Sequence, residues 1–129
     1  MASTIGTFVP LHSSGVGKAY LSALPEDEFE TRLNTLNLAP VTRFTTTDPE
    51  TLTRQINESR KTGYIFDSQE NEEGIACFGA AIVDQNNIPQ AAISGTVPLF
   101  RLHDDKAQYV PHLLQCIRTI TEHLRASGL

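Results

Sequence analysis

The segment "IACFGAAIVDQNNIPQAAISGTV", residues 75–97, constrains the fold more than any other part of the chain. Two apolar runs flank Asp84, Gln85, Asn86 and Asn87, whose polar side chains suit a tight turn. The pattern predicts a β-hairpin with strands of roughly eight residues. Its small residues (Gly79, Ala80, Ala81, Ala91, Ala92 and Gly95) leave room for a helix or a ligand to approach the backbone closely.

Helices are predicted on both sides of this hairpin. Ser13 and Ser14 are good N-cap residues for a helix starting near Gly15, with Val16, Ala19, Tyr20 and Ala23 at helical spacing. Pro25 fits the first turn of a second helix. Glu26, Asp27 and Glu28 favour its positive end, and Phe29, Leu33 and Leu36 form its apolar face. A third helix has clear signals at both ends: Asp48 caps it, Pro49 opens it and Gly63 closes it, with Leu52, Ile56 and Ser59 as the buried stripe. "YIFD" then reads as a short extended stretch running into the polar loop "SQENEEGI". A last helix is expected from about Asp104 to Ala126, ended by Gly128, with Val110, Leu113, Leu114, Ile117, Ile120 and Leu124 on a 3.6 period. Together these elements imply an α+β domain, an antiparallel sheet covered by helices.

Composition narrows the function classes. A chain of 129 residues is one domain's worth. Fifteen acids against ten bases give a net charge of −5, with no run of basic residues, which argues against this chain gripping nucleic acid by itself. No apolar stretch approaches the roughly 18 residues of a membrane span, and "MASTIGTF" lacks the features of a secretory signal. Two cysteines, Cys77 and Cys116, make no disulfide framework, so a cytoplasmic protein with reduced thiols is expected.

Three groups of residues could carry chemistry. "HSSGVGKAY" resembles a phosphate loop only superficially. His12 stands where the first glycine is needed, and Lys18 is followed by Ala19 rather than by a magnesium-binding hydroxyl. What remains is a helix N-terminus suited to a carboxylate, or simply a capped structural helix. The second group is Asp67, Cys77, Ser94 and Thr96. A paired hairpin brings the last three together, and alternation puts Ser94 and Thr96 on one face. Such a polar corner in an apolar sheet suits a small-molecule pocket. It equally suits hydroxyls bonded to backbone and a thiol packed as a small hydrophobe. A thiol enzyme would need Cys77 beside a histidine, with His12, His103, His112 and His123 the candidates. Third, Glu70, Glu72 and Glu73 read as a solvated acidic loop or as a pocket entrance. No Cys-x-x-Cys or His-x-x-x-His spacing suggests a metal, and no cofactor is called for.

Taken together, "PLHSSGVGKAYLSALPEDE", "TGYIFDSQENEEGIACFGAAIVD" and "QAAISGTVPLFRL" resemble the C-terminal effector-binding domain of IclR-type bacterial transcription regulators, from about Val9 to Leu124. The resemblance implies a GAF-like, profilin-like fold that senses a small metabolite without catalysis. It also implies self-association as a dimer or tetramer. DNA would be read only by an N-terminal winged helix-turn-helix, so residues 1–129 are expected to be a truncated effector domain, its later two thirds. The ligand-holding helix start then falls on Ser14, Gly15 and Val16. The acid falls on Asp67, an apolar neighbour on Ile75, the thiol on Cys77 and the strand hydroxyls on Ser94 and Thr96. Thr96 departs from the serine common there and narrows the corner. An ionised Asp67 selects a hydrogen-bond donor on the ligand, pointing to small oxo- or hydroxy-acids, with sugar and aromatic acids left open. The competing readings are a thiol enzyme using Cys77 and a pure oligomerisation module.

Overall fold

The computed structural model describes residues 4–102 and 108–128. Its elements run α1 (Gly15–Ala23), α2 (Glu26–Thr35), α3 (Pro49–Thr62), β1 (Ile65–Ser68), β2 (Ile75–Val83), β3 (Pro89–Pro98), a short 3₁₀ turn (Leu99–Arg101) and α4 (Val110–Ala126). This is the expected α+β arrangement. The three strands form one antiparallel sheet in the order β1-β2-β3.

The local signals act as their chemistry dictates. Asp48 accepts the Thr51 amide, Pro49 opens α3, and Gly63 leaves it at φ +86°, a left-handed conformation that glycine adopts without strain. In the hairpin turn Asp84 Oδ1 accepts the amides of Asn86 and Ile88, and Asn87 takes φ +61°. Two boundaries differ from expectation. The second helix stops at Thr35, so Leu36, expected on its apolar face, is instead its C-cap. The final helix starts at Val110; the expected portion from Asp104 to Lys106, and Ala107 after it, lies outside the described residues.

The sheet has two unlike faces. On one, α1 lies so close that a Cβ at Gly79 would sit 2.6 Å from the Gly15 carbonyl oxygen. Behind α1, Leu21, Leu24, Phe29, Leu52 and Ile56 form the buried core shared with α2 and α3. On the other, Phe78 stacks on Tyr109 with centroids 5.5 Å apart, and α4 lies across β2 and β3. Among the described residues no helix is long and apolar enough to cross a membrane.

Candidate functional site

The site is built by register. Antiparallel pairing sets Asp67 opposite Cys77, Cys77 opposite Thr96 and Gly79 opposite Ser94. Since side chains alternate across a strand, Asp67, Ile75, Cys77, Ser94 and Thr96 project from the face that α1 covers. Gly15 brings α1 onto this row: a Cβ there would meet Cys77 Cβ at 3.1 Å and Ser94 Cβ at 3.8 Å.

The first turn of α1 supplies the polar wall. Ser14 is the N-cap; its hydroxyl donates to the Pro10 carbonyl at 2.6 Å and accepts the Gly17 amide at 3.0 Å. The Ser14 carbonyl takes the Lys18 amide. The amides of Gly15 and Val16 have no partner inside the helix, and they open at its positive end. Gly17 fits only as glycine, because a Cβ would stand 2.6 Å from the Leu11 backbone.

These walls enclose a cavity of about 240 Å³. All eight residues singled out in the sequence line it: Ser14, Gly15, Val16, Asp67, Ile75, Cys77, Ser94 and Thr96. Val9, Asn71 and Glu72 complete it; sequence reasoning missed Val9 and Asn71, whereas Glu72 lies in the acidic stretch read as a solvated loop or a pocket entrance. The signal for Val9 and Asn71 was their place in or beside the quoted motifs. The acidic loop is not simply solvated. Glu70 is buried and pairs with Lys18, whose side chain is entirely enclosed.

The electrostatics of the corner follow from burial. Burial pushes the Asp67 carboxyl up to about 6; the Lys18 charge opposes this and Glu70 reinforces it. The Glu70 amide donates to Asp67 Oδ1 at 3.1 Å. Burial also raises the Cys77 thiol, whose sulfur lies 3.7 Å from Thr96 Oγ1. A nucleophilic thiol needs the opposite shift and a nearby base. Among the described residues no histidine lines the cavity. His12 is buried elsewhere with Nε2 2.8 Å from the Ala39 carbonyl oxygen, His112 borders a groove under α4, His123 is exposed near the end of α4, and His103 lies outside the described residues. Among the described residues no cluster of His, Cys, Asp or Glu is arranged to hold a metal ion. The corner can accept and donate hydrogen bonds and hold an anion on two amides.

Comparison with known proteins gives one consistent result. The family model described as the bacterial transcriptional regulator IclR C-terminal domain matches residues 1–122. The transcriptional repressor IclR of Escherichia coli is 38% identical over 106 residues, 82% of this chain and 39% of that protein. The repressor AllR of the same organism is 36% identical over the same shares. The crystal structure of Thermotoga maritima IclR superposes with a TM-score of 0.91 at 35% identity, covering 96% of this chain and 51% of that one. The chain thus spans about two fifths of the length of the curated relatives it matches.

Proposed function

Since the chain belongs to the IclR C-terminal family of bacterial transcriptional regulators, we propose that it senses a small carboxylate metabolite for such a regulator. The observation that carries this reading is the convergence of two helix-terminal amides, two strand hydroxyls and one buried acid on a single small cavity. Amides at a helix N-terminus favour an anion. At about 240 Å³ the cavity is below the roughly 300–1,000 Å³ of drug-sized ligand sites, which favours short oxo- or hydroxy-acids over larger sugar or aromatic acids. The hydroxyl or hydrated carbonyl of such an acid faces Asp67 while its carboxylate faces Gly15 and Val16. Ser94 and Thr96 on the hairpin supply further partners.

Binding then acts by population shift: the acid favours one domain arrangement, and with it one DNA-binding geometry of the whole regulator. DNA contact belongs to a separate winged helix-turn-helix domain, in keeping with the net charge of −5 here. Self-association into dimers or tetramers is part of the same proposal.

Thermal melts across a panel of oxo-, hydroxy-, sugar and aromatic acids test the reading. A small oxo- or hydroxy-acid should raise the melting temperature, and Ser94→Ala should weaken its binding by about 1–3 kcal/mol. A panel without any shift would defeat the proposal.

A further inference from the structure

Behind the cavity lies a second polar assembly that does not itself line it. Lys18 projects from α1 into the interior with no exposed surface. Its ammonium donates to Gln55 Oε1 of α3 at 2.8 Å and pairs with Glu70 Oε2. Glu70 is held from every side. Its other carboxylate oxygen accepts the Thr46 amide at 2.8 Å, and its carbonyl accepts Thr45 Oγ1 at 2.6 Å. The neighbouring Gln69, at φ +64°, offers its carbonyl to Thr42 Oγ1 at 2.6 Å. Gln55 Nε2 closes the ring by donating to Thr46 Oγ1 at 3.0 Å.

This assembly reaches the cavity through Asp67, whose Oδ1 accepts the Glu70 amide at 3.1 Å. Burying a charged pair costs several kcal/mol in desolvation, and apolar residues of similar volume are often as stable or more so. Stability is therefore a weak explanation for Lys18 and Glu70. Position is a better one: a cation and an anion stand behind the single buried carboxyl that faces the ligand site.

We propose that Lys18 and Glu70 are positioning residues for the pocket, a buried pair of opposite charges that fixes Asp67 and sets the charge it presents to the ligand. The consequence for specificity rests on the acid-sensing reading above. The control over Asp67 does not, and can be measured without any ligand. With Lys18 dominant, Asp67 is an acceptor that selects a ligand hydroxyl. With Glu70 dominant, it is a carboxylic acid that can donate to a ligand oxygen. The titratable groups around Asp67 are Lys18 from α1, Glu70 and Glu72 from the β1–β2 turn, and Cys77 from β2; α3 contributes the neutral Gln55.

The test follows the Asp67 carboxyl carbon resonance with pH in the full chain, assigned with Asp67→Asn. Lys18→Met should move the midpoint up and Glu70→Gln should move it down, each by roughly one pH unit or more. The double variant should return toward the unmutated value. A merely structural pair would not give opposite shifts, so midpoints that stay put or move in one direction overturn the proposal. If a single variant does not fold, the unmutated protein still decides: the Lys18 ζ-nitrogen resonance should shift with the Asp67 midpoint. A Lys18 resonance indifferent to that titration contradicts the proposal.

Discussion

The two faces of the sheet carry equally clear amphipathic helices and bury them to different depths. On the α1 face, Leu21, Leu52 and Ile56 have no exposed surface, because three helices share one core there. On the α4 face no residue of the helix is fully buried, and β3 is nowhere fully covered. Periodicity therefore tells which side of a helix faces inward, but not how many layers lie beyond it. The cavity sits where the two regimes meet. Ser14, Gly15 and Asp67 are fixed by the deep side, while Ser94 and Thr96 come from the exposed strand. A buried polar wall facing an accessible one suits the entry of a small acid that is proposed above.

A matched pair of truncations separates the two faces. Leu52→Ala, in the deep core, should cost about 2–5 kcal/mol. Leu113→Ala, at a half-buried position on α4 itself, should cost clearly less, about 1 kcal/mol. Equal losses in denaturant unfolding would mean the two faces are not energetically distinct. Next in size is Gly79→Ala. The added methyl would press on the Gly15 backbone, and such overpacking costs typically about 1–3 kcal/mol. It should also displace the amide wall, so any acid that stabilises the protein should lose affinity with it.

Asp67 gives a pH-dependent form of the same test. Its native carboxyl holds the proton more tightly than in the unfolded chain, at about 6 against 3.8. The group therefore favours folding below 3.8, and that contribution is lost as pH rises through about 6. Asp67→Asn should accordingly be more stable than the unmutated protein at neutral pH, by about 1–3 kcal/mol, with the gap closing in acid. Melts showing a gap independent of pH would remove burial of the charge as its cause. The smallest effect is expected at Ser13, whose buried hydroxyl has no hydrogen-bond partner among the described residues. Ser13→Ala should leave stability unchanged or raise it by up to about 1 kcal/mol.

Much of this molecule is legible in the sequence, for local reasons. The caps of α3, the hairpin turn and the apolar stripes follow from side chains acting on their own backbone. The juxtaposition of Cys77 with Ser94 and Thr96 is only half local: a register shift between Ile82 and Val83 turns Ser94 and Thr96 onto the Cys77 face, and the turn alone does not specify it. Lys18 was not legible. A lysine on a helix ordinarily reaches solvent, and its partner Glu70 is 52 residues away in an acidic stretch that reads as a loop. Glu72 and Asn71 join the cavity for the same non-local reason: the turn after β1 folds over the end of α1.

On the proposed reading, a small acid binds on the amides that open α1. Titrating the chain with short 2-hydroxy- and 2-oxo-acids, and following its backbone amide resonances, tests this most directly. Saturable shifts centred on Gly15 and Val16, with smaller ones at Cys77, Ser94 and Thr96, are the predicted result. Saturable shifts confined to the groove under α4, around Leu113 and Cys116, or no response to any acid, would contradict it.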